Sequence, residues 1–357
     1  VSAVVTESYR PPLPARAMAG LLDAYKRTFT SEATAGLLSR PNPVRRTGFD
    51  VWLRIDARVI EAEDVVSLTL RSPAGADLPS WIPGAHLDVF LPSGRQRQYS
   101  LTGDPADRTT YRIAVRYLAD GDGGSREMHD DLREGDLLRI RGPRNAFTYI
   151  DAPEYLFVAG GIGITPILPM VTECARRGAP WRLIYLGRSR ASMPFLHELE
   201  RCRGGTLEVR PDDEFGGPDL DALVAEAPRG AAVYVCGPPP LMESARRVLS
   251  ATDPTASVHT ERFSPLPVQD GDPFRITLRR SGTTVDVGGD ESALSAILRA
   301  VPGAAFSCRQ GFCGTCKTRV LAGEIDHRDR LLPDSDRDSA MLTCVSRALG
   351  DDLVLDL

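Results

Sequence analysis

Four of the seven cysteines fall into one pattern: Cys308, Cys313 and Cys316, spaced C-x4-C-x2-C, with Cys344 following after twenty-seven intervening residues. Thiolates at these intervals wrap a single [2Fe–2S] cluster of the plant type. Structural zinc ordinarily uses two C-x2-C knuckles, whereas this chain has one, with a C-x4-C in front of it. Gly311 and Gly314 suit the cluster too. A loop folded around it must bring backbone N–H groups near the sulfides and adopt positive φ angles, and glycine permits both. Cys308, Cys313, Cys316 and Cys344 are therefore the expected metal ligands of a centre that passes single electrons, and the upstream chain is read for their source.

The segment Gly160-Gly161-Ile162-Gly163-Ile164-Thr165-Pro166 follows an apolar run. It is not the G-x-G-x-x-G fingerprint, and a tight strand-to-helix turn would read the same way. Its position nevertheless predicts a dinucleotide site: it ends a strand and opens a helix whose N–H groups would face a pyrophosphate. After the next strand stands Gly187-Arg188-Ser189-Arg190, without the acid that would bind a ribose 2′-hydroxyl. Arg188 and Arg190 flanking Ser189 suit a phosphate dianion, so NADPH is expected rather than NADH, although a solvated turn would carry the same residues. Arg97-Gln98-Tyr99-Ser100-Leu101 could hold a planar, anionic cofactor, with a ring stacked on Tyr99, a ring heteroatom bonded to Ser100 and charge balanced by Arg97; an exposed strand often carries such a triplet as well. Gly121-Asp122-Gly123-Gly124-Ser125, ahead of a helix-like stretch at 127–132, reads as a phosphate nest.

The elements that must position these groups change character along the chain. Residues 1–46 are Pro-rich at both ends, with Met18, Leu21, Leu22, Tyr25 and Phe29 at helical spacing, and read as an N-terminal extension or linker. Residues 47–148 alternate short β-like runs (50–57, 65–71, 86–91, 111–117, 137–141) with Pro and Gly turns, the pattern of an antiparallel barrel or sandwich. Over 149–263, strand-like runs at 155–159, 182–186, 207–210 and 232–236 alternate with helical patterns after the first, second and last, which predicts a doubly wound α/β sheet. A linker at 264–273 leads to 274–357, with a hairpin around Ser281-Gly282, a helix at 293–300, the cysteine loop and a last strand at 353–357.

Composition narrows the function further. Lys plus Arg number 43 against 48 Asp plus Glu, a net charge of −5 without long runs of either sign, so no electrostatic footprint for nucleic acid exists. The uncharged stretch 155–172 is interrupted by three glycines and two prolines and is not expected to span a membrane. An odd cysteine count without a secretory signal points to the reducing cytoplasm, and Val1 in place of Met suggests a processed or excised piece.

Seven motifs in order give a resemblance that covers residues 50–357: R-Q-Y-S-L (Arg97 to Leu101), G-G-S (Gly123 to Ser125), P-R-N-x-F (Pro143 to Phe147), G-G-I-G-I-T-P (Gly160 to Pro166), C-G-P (Cys236 to Pro238), H-x-E-x-F (His259 to Phe263) and the cysteine set. The chain resembles the phthalate dioxygenase reductase family, and also the reductase portion of self-sufficient cytochromes P450. The resemblance implies an FMN-binding barrel at 47–148, an NAD(P)-binding α/β domain at 149–263 and an α+β plant-type ferredoxin domain at 274–357. It implies that Arg97, Tyr99 and Ser100, with Gln98 between them, bind the flavin ring and that Gly123, Gly124 and Ser125 hold its phosphate. It further implies that Gly161 and Gly163 approach the pyrophosphate, and that Thr165, Cys236 and Phe263 shape the nicotinamide pocket, Cys236 as a wall rather than a nucleophile. Many relatives carry an acid where Ser189 stands, which sets their NADH preference apart from the expectation here. FMN is expected over FAD. The implied activity passes electrons from NAD(P)H through flavin and cluster to a terminal oxygenase, either a P450 haem domain, possibly in the same chain, or a Rieske oxygenase. A ferredoxin carrier lacking reductase activity and a zinc-stabilised interaction protein are the rival readings.

Overall fold

The computed structural model describes residues 49–357 apart from 254 and 330; the helical pattern expected within 1–46 lies outside them. The first sheet uses β1 (Phe49–Ala62), β2 (Val65–Arg71), β3 (Ala85–Phe90), β4 (Gln96–Ser100), β5 (Thr110–Arg116) and β6 (Leu137–Asn145), with α1 (Gly124–Asp130) between the last two. All its pairings are antiparallel, in the order β4-β3-β6-β1-β2-β5. The expected barrel is thus an open sheet whose outer strands meet at one bridge, Leu101 to Ile113. Its physical cause is local: β4 is five residues long, and the chain turns away from the ladder over 103–109. Alternate residues such as Leu53, Ile55, Leu87, Val89, Leu138 and Ile140 fill the core on the inner face.

The second sheet is wholly parallel. It comprises β7 (Tyr155–Gly160), α2 (Ile164–Arg177), β8 (Trp181–Gly187), α3 (Leu196–Arg201), β9 (Gly205–Pro211), α4 (Asp212–Phe215), α5 (Leu220–Ala225), β10 (Ala232–Cys236), α6 (Pro239–Thr252) and β11 (Ser257–Glu261), in strand order β11-β10-β7-β8-β9. Both faces are covered, as a parallel sheet requires. Tyr155, Phe157 and Ala159 point into a core shared with α2, whereas Leu156 and Val158 point into another shared with α5 and α6. Two features go beyond the sequence pattern: the short helices α4 and α5 after β9, and the edge strand β11, whose residues are all half-buried and so give no apolar run. The uncharged stretch at 155–172 divides between β7 and α2, and among the described residues no helix is long and apolar enough to cross a membrane.

Residues 264–273 carry no helix or strand. Beyond them come β12 (Phe274–Leu278), β13 (Thr283–Val287), α7 (Ala293–Ala300), β14 (Lys317–Ala322), β15 (Ile325–Asp326), α8 (Asp334–Arg337), β16 (Ala340–Leu342), β17 (Arg347–Ala348) and β18 (Asp352–Leu355). The mixed sheet β13-β12-β18-β14-β16 packs Ile276, Leu278, Val320 and Leu355 against Ala296 and Ile297 of α7. The expected β12–β13 hairpin turns at Gly282, where φ is +68°.

Candidate functional site

The strand order of the parallel sheet reverses beside β7, which has β10 on one side and β8 on the other. A crevice opens at such a switch point, beyond the carboxyl ends of the strands. Its floor is glycine for steric reasons. A Cβ on Gly163 would sit 2.2 Å from the Cys236 carbonyl oxygen, and one on Gly160 would sit 2.7 Å from Pro238 Cδ. The crevice is bordered by Gly160, Gly161, Arg116, Arg188, Ser192 and Asp212.

The predicted phosphate-reading pair separates here. Arg188 borders the crevice, whereas Arg190 turns to Glu214, with Nε and Nη2 donating to the carboxylate at 2.8 and 3.1 Å. Ser189 caps a short turn, its backbone N–H donating to Ser192 Oγ at 3.2 Å. Arg190 and Ser189 are not among the residues that line this crevice.

A second cleft, of about 240 Å³, lies between the antiparallel and parallel sheets. Arg97, Gln98, Tyr99, Ser100 and Ser125 border it from one side and Ile162, Thr165 and Phe263 from the other. The Thr165 hydroxyl donates to the Ile162 carbonyl at 3.0 Å, and half-exposed Phe263 stands at the rim. Cys236 is fully buried, and burial pushes its thiol well above the ordinary value, which disfavours the nucleophilic thiolate. At the other end Gly123 takes φ +89° and Gly124 lies beneath Arg97, whose Nε would be 2.4 Å from a Cβ at that position. Arg97 pairs with Asp122, and Arg95 Nε donates to the Asp122 carbonyl at 3.0 Å. Two guanidiniums therefore overlie the G-G-S loop, an environment suited to a phosphate. Ser125 Oγ is engaged at 3.0 Å by the backbone N–H of Leu118.

Sequence reasoning gave no role to three residues here. Arg116, at the end of β5, borders both clefts; its spacing in an alternating strand is that of any outward-facing residue. Arg95 lies outside the R-Q-Y-S-L motif. Glu261 lies within the quoted H-x-E-x-F motif without an assigned task, yet Ser100 Oγ approaches its carboxylate at 3.5 Å and burial pushes its carboxyl up to about 8.

The cysteine loop follows α7. Cys308, Cys316 and Cys344 are buried, and Cys313 is half-buried. Gly311 and Gly314 take φ +79° and +73°, as the wrapped loop demands. Backbone N–H groups of Cys308 and Gln310 point at the sulfurs of Cys313 (3.5 Å) and Cys308 (3.4 Å). Hydrogen bonding from Cys313 and then Cys344 pulls the Cys308 thiol far below its ordinary value, and Cys316 is lowered by Cys344 in the same way. Four converging sulfurs with N–H donors aimed at them fit an iron–sulfur cluster.

Fold and site together define a modular flavoprotein reductase with an iron–sulfur outlet. The family described as oxidoreductase FAD-binding domain matches residues 53–149, and that described as 2Fe-2S iron-sulfur cluster binding domain matches 276–349. The chain is 41% identical over 314 residues to the phenoxybenzoate dioxygenase subunit beta of Ectopseudomonas oleovorans, covering 86% of this chain and 97% of the relative. It is 36% identical over 313 residues to the phthalate dioxygenase reductase of Burkholderia cepacia, covering 85% and 97%. Among solved structures, an intact type IV self-sufficient cytochrome P450 monooxygenase shares 40% identity and a TM-score of 0.68, with 91% of this chain but 44% of that one covered. The solved phthalate dioxygenase reductase shares 35% identity and a TM-score of 0.66, covering 86% and 98%. The chain belongs to the phthalate dioxygenase reductase family, uses a flavin and a [2Fe–2S] cluster, and is an NAD(P)H-dependent oxidoreductase.

Proposed function

We propose that this chain takes reducing equivalents from NADPH onto FMN and delivers them through the cluster to an oxygenase. Residues 47–148 would form the flavin domain, 149–263 the nucleotide domain, 264–273 a linker and 274–357 the ferredoxin domain. The carrying observation is the shared cleft, where Arg97, Tyr99 and Ser100 of one sheet face Ile162, Thr165 and Phe263 of the other, so that two planar rings can meet there. When bound, the flavin accepts a hydride from the nicotinamide, and the cluster carries electrons away singly.

The residues supply position and exclusion. Tyr99 and Ser100 would hold the ring, and Arg97, Arg95, Gly123, Gly124 and Ser125 the phosphate end. Gly161 and Gly163 would admit the pyrophosphate, with Arg116 reaching it from β5. Thr165 would wall the nicotinamide pocket, with Phe263 shielding its rim from water; Cys236, fully buried and outside the lining of either cleft, would not touch the nucleotide directly. Cys308, Cys313, Cys316 and Cys344 would ligate the cluster. FMN is favoured over FAD by the two guanidiniums over the G-G-S loop, which suit a terminal phosphate. Mass determination of the released flavin tests this, and FAD as the sole species refutes it.

Arg188, not Arg190, would read the 2′-phosphate, because Arg190 is already paired with Glu214. Arg188→Ala is expected to raise the KM for NADPH by about tenfold or more, the worth of one charge-assisted hydrogen bond, and to leave NADH use nearly unchanged. Arg190→Ala is expected to change little with either donor. Steady-state kinetics with both nucleotides check the pair, and better use of NADH than NADPH by the parent chain overturns the NADPH reading.

The acceptor would be an oxygenase in the cytoplasm, either a P450 haem domain joined in the same chain or a Rieske component. The phenoxybenzoate dioxygenase and P450 relatives support this reading. Reduction of each oxidised partner under excess NADPH tests it; failure to reduce either kind overturns it.

A further inference from the structure

On β3, Leu87 and Val89 face the core, so His86 and Asp88 belong to the other face of the sheet. An antiparallel sheet commonly leaves that face in water. Here His86 is 6% exposed and Asp88 0%, because the cysteine loop lies over them. The Ser307 hydroxyl, one residue before the first cysteine, lies 2.9 and 3.1 Å from the two Asp88 oxygens. Gln98 Nε2 on neighbouring β4 donates to Asp88 Oδ1 at 3.0 Å and to Ser307 Oγ at 2.6 Å, with His86 Nε2 also 3.0 Å away. Arg144 of β6 pairs with Asp88 at 3.2 Å and reaches Thr315 Oγ1 at 3.1 Å, which in turn accepts from the Cys313 thiol at 3.4 Å. A further contact from β4 runs from Gln96 Nε2 to the Phe306 carbonyl at 2.8 Å.

We propose that Asp88, with Ser307 and Arg144, is a positioning latch that seats the ferredoxin module on the flavin sheet in the arrangement that passes electrons between the two cofactors. β4 runs between the two sites: Arg97, Gln98, Tyr99 and Ser100 border the flavin cleft, while the Gln96 and Gln98 side-chain amides reach Phe306 and Ser307 beside the cysteine loop. A buried carboxylate is tolerable only when its oxygens are satisfied, and here a hydroxyl from the ferredoxin side and an amide and a guanidinium from the flavin side do so together. Such a network fixes register more than it adds adhesion, since the same groups hydrate when the modules part.

The latch rests on the proposed electron path, and its test separates the two. In full-length holoprotein, Ser307→Ala and Asp88→Asn are compared with the parent and with Ser307→Thr. After anaerobic mixing with NADPH, flavin bleaching should stay within about twofold of the parent, while the later cluster bleaching should slow by about tenfold, the change that about 1.4 kcal/mol of lost docking produces. Ser307→Thr, which keeps the hydroxyl, should restore the cluster phase. Hydrogen exchange should rise at residues 96–100 and 304–316 in Ser307→Ala. Unchanged cluster bleaching and exchange in both variants overturn the latch, as does equal slowing of the flavin phase. A parent protein whose flavin no nicotinamide nucleotide reduces overturns the electron path instead, and the exchange comparison still decides the latch.

Discussion

Cys344→Ser should yield a protein that is yellow but lacks the broad visible absorption of an iron–sulfur centre, and should abolish one-electron delivery while sparing flavin reduction. Cys344 lies 28 residues beyond Cys316 in sequence yet next to it in space, with Thr343 Oγ1 donating to the Cys316 carbonyl at 3.3 Å. It would close the coordination set from the turn that follows β16. Replacing its sulfur would leave three thiols on the loop and a weak oxygen donor in the turn after β16. Cluster binding is coupled to folding of the segment that holds it, so thermal stability should fall in the ferredoxin region as well. None of the four cysteines borders the nucleotide crevice or the flavin cleft, so NADPH should still bleach the flavin within about twofold of the parent rate, a change under about 0.5 kcal/mol in barrier. Retention of the iron–sulfur absorption after the change would refute the ligand assignment. A colourless parent protein would favour zinc.

The cluster domain was legible because the expected ligands sit within nine residues, plus one, at a spacing that a cluster's size constrains. The doubly wound sheet was legible because strands buried on both faces must be apolar throughout, as at 155–159 and 232–236. The same rule explains the missing strand: β11 lies at an edge, half-buried, and reads Ser-Val-His-Thr-Glu. Arg190 illustrates a second kind of limit. Its place after β8 suggested a phosphate ligand, but its partner Glu214 lies 24 residues away on α4, a helix too short to leave a periodic pattern. Asp88 is the extreme case. In the run Ala-His-Leu-Asp-Val-Phe it alternates with apolar residues like any solvated side chain, and only the fold brings Ser307 over it from 219 positions away. Local spacing suggested where the cofactors would bind; the contact of Ser307 with Asp88 left no local trace.

Hydride transfer should slow as pH rises through about 8, and Glu261→Gln should flatten that dependence. Glu261 ends β11, beside Cys236 in the parallel register, with Ser100 Oγ 3.5 Å from its carboxylate. Burial raises its carboxyl from 4.5 to about 8, and the Ser100 hydrogen bond opposes this only in part. At neutral pH the side chain is therefore mostly protonated, a neutral donor at the edge of the cleft where hydride would pass. Above pH 8 it becomes an anion next to a reaction that moves negative charge, which disfavours the step. Stability carries the same signature. The folded chain holds a proton that the unfolded chain releases, so the contribution is whole below pH 4.5 and is lost as pH rises through about 8. Glu261→Gln should consequently gain on the parent at pH 9 by about 2 kcal/mol, after allowing for solvent screening of a half-buried side chain, and should gain nothing at pH 4. Paired thermal melts at the two pH values and stopped-flow flavin reduction across pH 6–9 measure both effects. A parent rate that is flat across that range, or a melting difference that is the same at both ends, would remove Glu261 from the proton inventory of the cleft and leave Ser100 to orient the ring alone.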